Sequence, residues 1–219
     1  MLFRSEATLV GRAAAGNEPD VPRFHGEDAL SAWRPVIDAV KAEGSAFWPQ
    51  LWHVGAIRNP GGKWTPPVPA ESPSGLGKPG REYGVAMTEA DCEATIKAFA
   101  QAAADARRLG CTGIEIHGAH GYLLDQFFWS GTNQRRDRWG GASLVERARF
   151  AAEVVRACRQ ARPRGFPCAP ELARAPFRPP IGCKLSAQLQ TRSALSSWNG
   201  RATLAELGRS LNPTVSFGL

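Results

Sequence analysis

Apolar positions recur at helical spacing in three segments, with short apolar runs between them. From Glu27 to Glu43, Leu30, Trp33, Ile37 and Val40 fall on one face, which predicts a helix stopped by Gly44 and kinked at Pro35. Ala46 to Trp52 is a compact apolar run and reads as a strand. Thr88-Glu89-Ala90-Asp91 resembles a helix-start box, and Ile96, Phe99, Ala100, Ala103 and Ala106 carry the helical spacing on to Gly110. Gly113-Ile114-Glu115-Ile116-His117 predicts a strand whose polar end is its C-terminal edge. Ser143-Leu144-Val145-Glu146 opens a further helix, carried by Leu144, Ala148, Ala151, Val154, Val155 and Cys158. Between Arg58 and Val85 lies a segment rich in Pro and Gly, too long for a simple connection and so expected to be functional or mobile.

Strands alternating with helices imply right-handed crossovers and a parallel sheet. No Gly-x-Gly-x-x-Gly turn follows a predicted strand, which counts against an open dinucleotide-binding sheet. Barrel enzymes instead gather polar residues at the C-terminal ends of several strands. Gln50-Leu51-Trp52-His53 and Glu115-Ile116-His117 both end that way.

Composition narrows the class further. The chain has 219 residues, 43% hydrophobic and 21% charged, enough apolar content for one sizeable core. No run approaches the ~18 apolar residues of a membrane span. Met1-Leu2-Phe3-Arg4 leads into polar residues rather than a signal-peptide core, so a cytoplasmic protein with no membrane partner is expected. Cys92, Cys111, Cys158, Cys168 and Cys183 form no Cys-x-x-Cys pair and read as buried reduced thiols. The net charge of +7 is unevenly placed, because residues 162–219 hold eight basic and two acidic residues, with seven of the 17 prolines. The body before that tail is nearly neutral. Without aromatic interleaving or a recognised module, the tail makes no case for a nucleic-acid partner.

The densest polar cluster is His117-Gly118-Ala119-His120-Gly121-Tyr122. Two imidazoles and a phenol at the mouth of a strand can polarise a carbonyl and deliver a proton. His53, His117 and His120 can also be read as three ligands of a catalytic zinc in a metal-dependent TIM-barrel hydrolase, although the helical His-Glu-x-x-His pattern is missing. A third reading gives these histidines no chemistry beyond satisfying buried backbone groups.

Ser5-Glu6-Ala7-Thr8, Pro49-Gln50-Leu51-Trp52-His53-Val54-Gly55 and, above all, the run from Gly113 through His117, His120 and Tyr122 to Phe127 resemble the Old Yellow Enzyme family of NADH:flavin oxidoreductases. Asn133-Gln134-Arg135-Arg136-Asp137-Arg138-Trp139-Gly140-Gly141 and Glu146-Arg147-Ala148-Arg149-Phe150 continue the likeness, which spans residues 2–161. The resemblance implies a (β/α)8 barrel holding FMN at its C-terminal mouth. Hydride would pass from NADH or NADPH through the flavin to the β-carbon of an activated alkene, an enone or enoate. It further implies that His117 and His120 hydrogen-bond the substrate carbonyl, that His117 also contacts the cofactor, and that Tyr122 protonates the other alkene carbon. Gln50 would meet the pyrimidine edge of the flavin, and the backbone of Ala7 would lie against the isoalloxazine. No metal is implied, and an oligomer is left open. The family likeness makes Arg135 to Arg138 a salt-bridged structural turn, sets Ser74-Gly75-Leu76 near the substrate entrance, and has Trp52 and His53 packing beneath the site.

Against the family pattern, the chain begins at the second barrel strand and the likeness stops near Ala161. The expected fold is therefore α/β, an incomplete TIM barrel of about four to five strand–helix units over residues 1–161. Residues 162–219 would be an irregular basic tail rich in Pro and Arg, such as an out-of-frame reading of GC-rich coding sequence produces. Within it, Ile181-Gly182-Cys183-Lys184-Leu185-Ser186 resembles a fifth strand, with Lys184 where the family carries an Arg. The alternative raised by this truncation is a catalytically inactive fragment unable to bind FMN.

Overall fold

The computed structural model describes residues 1–16, 20–57 and 68–161, together with the backbone of 168–171. In chain order the elements are strand β1 (Leu2–Leu9), helix α1 (Glu27–Ala42) and strand β2 (Ala46–Trp52). Four short strands follow, β3 (Glu71–Ser72), β4 (Leu76–Lys78), β5 (Arg81–Glu82) and β6 (Val85–Ala86), and then helix α2 (Glu89–Arg108). Strand β7 (Ile114–His117), helices α3 (Leu123–Phe128), α4 (Leu144–Arg147) and α5 (Arg149–Gln160), and strand β8 (Cys168–Glu171) complete the set. β1, β2, β7 and β8 form one sheet in that order, and each neighbouring pair is parallel. Parallel strands joined through helices are the repeating unit of a (β/α)8 barrel, and this architecture is a partial barrel.

The two-residue period of a strand sorts the side chains of β2 and β7 onto two faces. Phe47, Leu51, Ile114 and Ile116 are fully buried on one of them, and Phe47 meets Trp33 of α1 at 5.9 Å between ring centroids. The opposite face carries Trp48, Gln50 and Trp52 from β2, and Glu115 and His117 from β7. Gly113 begins that second row because a Cβ there would stand 2.3 Å from the Trp48 ring. The result is a stack of layers across neighbouring strands, the way a barrel interior is filled.

The helices follow the expected spacing with one difference, the division of the helix that opens at Ser143. α1 continues through Pro35 as a single element. Pro35 is exposed, so the carbonyl that its ring leaves without a donor faces water. The helix after Ser143 keeps its reciprocal Ser143–Glu146 cap but divides at Ala148 into α4 and α5. Next to that break Arg147 is buried and donates to the carbonyls of Phe128, Gly141 and Ala142. α2 opens as expected: Thr88 Oγ1 accepts from the Asp91 N–H at 3.1 Å and Asp91 accepts from the Thr88 N–H at 2.9 Å. α3 is six residues long, too short for its period to show in the sequence.

The segment expected as a long loop is built in its second half. β3 pairs with β6 in parallel, and β4 with β5 antiparallel. Arg135 ties it down by donating to the carbonyls of Pro73 and Met87 while pairing with Asp137. Arg138 pairs with Glu93 and lies 4.3 Å over the Trp139 ring. The Arg135–Arg138 stretch is thus a salt-bridged turn. Residues 58–67 lie outside the described residues, as do Ile181 to Ser186 and Lys184. β8 falls within the stretch that was expected to be irregular, and it extends the sheet by a fourth parallel strand. Cys92, Cys111 and Cys158 are buried, and burial pushes the Cys92 and Cys111 thiols up to about 12. Among the described residues no helix is long and apolar enough to cross a membrane.

α3 is held to α5 by Phe127 and Phe150, whose rings stack at 3.9 Å, both fully buried. Phe150→Ala is expected to cost about 3–5 kcal/mol through lost burial and the cavity left behind. Urea denaturation measures this, and a loss below about 1 kcal/mol would contradict the packing described.

Candidate active site

Parallel register sets Ala7 beside Gln50 and Gln50 beside Glu115. Glu115 is 3% exposed, and a carboxylate that deep requires partners. Gln50 Nε2 donates to its Oε1 at 2.7 Å, and Arg4 donates to its Oε2. In this bond the Gln50 amide turns its NH2 toward Glu115. The backbone of Gln50 is fixed as well: its N–H donates to Ser5 Oγ at 3.0 Å, and its carbonyl accepts from Thr8 Oγ1 at 2.7 Å. The register of β1 shifts between Arg4 and Ala7, which re-aims the strand where Ala7 meets β2.

One layer toward the C-terminal edge, Trp52, His117, His120 and Tyr122 form an aromatic cluster. Tyr122 stands edge-on to Trp52 at 4.8 Å and to His117 at 5.0 Å, and His120 stands edge-on to His117 at 5.2 Å. Burial, reinforced by the nearby His120 and opposed by Glu115, lowers the pKa of His117 to about 4. The ring is therefore neutral at pH 7. Its Nδ1 accepts a long 3.4 Å contact from the Ala119 N–H, which puts the remaining ring proton on Nε2 and makes that edge a donor. His120 has φ +59, the described non-glycine residue in the left-handed region, and Gly121 follows at φ +80. Such a backbone costs on the order of 1–3 kcal/mol for a residue with a side chain. Trp52 Nε1 has no hydrogen-bond partner and is closed off from solvent, so the indole acts as an apolar wall.

Ala7, Gln50, His117, His120 and Tyr122, the site residues implied by the sequence, all line one cavity of about 390 Å3. Small-molecule sites occupy roughly 300–1,000 Å3. Trp52 forms part of the wall rather than lying beneath it. Glu6, Asp20, Val21 and Pro22 complete the lining.

His53 is elsewhere. It is fully buried, with Nδ1 accepting from the Gly55 N–H at 3.0 Å and Nε2 facing Glu71 Oε1 at 3.0 Å. Arg12 grips the same Glu71 through two bonds of 2.6 Å and reaches Asp91 at 2.7 Å, which joins the capping box of α2. This network locks the end of β2 to the segment carrying β3 and to α2. Both ring nitrogens of His53 are committed, so it cannot join His117 and His120 as a ligand. Among the described residues no group of three His, Cys, Asp or Glu is placed to hold a metal ion. That corrects the zinc-hydrolase alternative. The sequence signals for Arg12, Glu71 and Glu115 were faint. Glu115 alone stood out, as a charge between two isoleucines in a buried strand.

The lining suits one end of a flavin better than the other. A small residue at Ala7, an amide at Gln50 and a neutral ring donor at His117 match a flat aromatic ring with a polar edge. Among the described lining residues there is no Lys or Arg, and Glu6 and Asp20 would repel a phosphate. The residues fit the ring, and they do not supply its phosphate site.

The model of the NADH:flavin oxidoreductase / NADH oxidase family matches residues 2–164. The chain belongs to that family. It is 38% identical over 173 residues to 12-oxophytodienoate reductase 7 of Oryza sativa subsp. japonica, covering 71% of this chain and 42% of the relative. It is 39% identical over 167 residues to flavin oxidoreductase hxnT of Emericella nidulans, covering 73% of this chain and 42% of the relative. Morphinone reductase in complex with tetrahydroNAD aligns with a TM-score of 0.63 and 30% identity, over 73% of this chain and 48% of that one. The chain thus spans less than half the length of these members of the NADH:flavin oxidoreductase family. The matching family model is that of FMN-type NADH:flavin oxidoreductases, and the morphinone reductase structure is a complex with tetrahydroNAD.

The neutral His117 has a consequence for stability. Its pKa is about 4 in the folded chain against 6.5 for an unperturbed ring, so unfolding takes up a proton between those values. Stability therefore falls as pH drops through that window, by roughly 3 kcal/mol. His53, whose pKa burial also lowers, adds to the loss with the same sign. Urea denaturation at a series of pH values checks this, and stability that held level across the window would contradict it.

Proposed function

We propose that the cavity is the ring-facing part of an FMN-dependent active site that reduces an activated alkene with electrons from NADH or NADPH. The observation that carries this reading is the convergence of Gln50, His117, His120 and Tyr122 on one cavity at the C-terminal edge of the sheet. Names among the relatives, 12-oxophytodienoate reductase and morphinone reductase, point to carbonyl-bearing substrates and support an enone or enoate.

When bound, FMN supplies hydride transfer between the nicotinamide and the alkene carbon. Gln50, oriented by Glu115, offers its amide to the polar edge of the ring, and Ala7 leaves room for close approach. His117 and His120 hydrogen-bond the substrate carbonyl. A neutral His117 donates from Nε2 and steadies negative charge growing on that oxygen. Tyr122 delivers its phenol proton to the second alkene carbon. Its position edge-on to Trp52 and His117 limits water around that proton.

A second reading, a chain that holds no FMN by itself, is favoured by the absence of a cation among the described lining residues. The two readings separate on NADPH-dependent reduction of 2-cyclohexenone by the full chain supplemented with FMN. Turnover is expected, and Tyr122→Phe should lower it by roughly 10²–10⁴-fold without slowing NADPH oxidation by an alternative acceptor. Turnover in Tyr122→Phe equal to the parent would remove the proton-donor role, and no turnover in the parent would favour the second reading.

A further inference from the structure

We propose that Asp125 and Gln126, neither of which lines the cavity, are positioning residues that set His120 and Tyr122 by gripping the peptide groups of Gly121 between them. The inference rests on the site reading above and concerns how its two rings are held in place.

Two consecutive residues, His120 and Gly121, sit in the left-handed region. A chain leaves that region unless neighbours over-determine it. Here the anchors are adjacent in sequence on α3. Asp125 Oδ2 accepts from the Gly121 N–H at 2.8 Å, and Gln126 Nε2 donates to the Gly121 carbonyl at 2.7 Å. The peptide groups on both sides of the Gly121 Cα are thereby held. His120 lies immediately before and Tyr122 immediately after, so fixing Gly121 fixes the directions in which both rings leave the backbone.

Gln126 does more than hold one loop. It is 2% exposed, and its Oε1 accepts from the Ala56 N–H at 3.1 Å, in the loop that follows β2. The neighbouring Gly55 has φ +69, and a Cβ there would stand 2.3 Å from Gln126 Oε1. One amide thus spans the loops after β2 and β7, with its acceptor on one and its donor on the other. α3 can serve as a rigid bracket because Leu123, Leu124 and Phe127 are buried and the Leu123 N–H donates to the His53 carbonyl at 3.2 Å. Asp125 also lies within electrostatic range of His120, which draws its burial-raised pKa back down.

The test uses the full chain without cofactor, and it reads histidine and tyrosine ring resonances by NMR during a pH titration. His117, faced by His120 and Glu115, reports the loop, while the ring of His53 in its own network reports whether the fold survives. In Asp125→Ala the loop is released and His117 gains water. Its midpoint should rise by about one unit or more toward the ordinary value, with His53 unmoved. Asp125→Asn keeps an acceptor for the Gly121 N–H and should hold the parent midpoint. A second variant covers loss of folding in the first. Gln126→Glu turns an oxygen toward the Gly121 carbonyl at neutral pH, so the His120 and Tyr122 rings should shift, and then return as the new carboxyl is protonated and donates. An unmoved His117 in Asp125→Ala, an Asp125→Asn variant that behaves like it, or unmoved rings in Gln126→Glu would each overturn the proposal. None of these readouts needs FMN, so they stand apart from any failure of the alkene-reductase reading.

Discussion

A carboxylate buried in a parallel sheet must find donors, and Glu115 finds them in Gln50 on the adjacent β2 and in Arg4 on β1, one strand further away. That requirement orders the inner face of the barrel. It ties β1 to β7 through Arg4 and turns the Gln50 amide one way. It also sets the register in which Ala7, Gln50 and Glu115 lie side by side. One layer further along, the same period-two alternation delivers Trp52 and His117 to the cavity, while Leu51 and Ile116 pack on the other face. A slip of one residue would exchange the two sets.

Electrostatics divides the site into two kinds of charge handling. At the cavity wall His117 is kept neutral by burial, and behind it Glu115 is held by Arg4 and Gln50. Outside it, the Arg12–Glu71–His53 network holds its charges in close pairs and uses them to fasten loops. The separation matters chemically. A ring that stays neutral can donate a hydrogen bond to a developing oxyanion without first giving up its proton to solvent.

Much of this could be read from the residues because local rules agreed with the global fold. Thr88 to Asp91 forms the expected capping box, Glu115-Ile116-His117 ends a strand at the cavity, and the family likeness singles out Ala7, Gln50, His117, His120 and Tyr122, which share one cavity. What escaped depended on contacts far apart in sequence. Glu71 looked like an ordinary loop residue, and its pairing with Arg12 and His53 joins three separate segments. α3 is shorter than the period that would announce it, so Asp125 and Gln126 looked like part of a motif rather than the brace behind it. The zinc reading failed for a related reason. Spacing alone could not show that both nitrogens of His53 were already committed. The strand at Cys168–Glu171 was hidden by a composition shift toward Arg and Pro that begins before it.

The most direct measurement is equilibrium titration of the full chain with FMN, followed by the visible flavin spectrum and by tryptophan fluorescence, in the parent and in Gln50→Leu. A cavity shaped for the flavin ring by Ala7, Gln50 and Trp52 predicts saturable binding with a shifted flavin band and quenched indole emission, weakened at least about tenfold in Gln50→Leu, which corresponds to about 1.4 kcal/mol. An unshifted spectrum and unchanged emission in the parent, or equal binding by the variant, would contradict it.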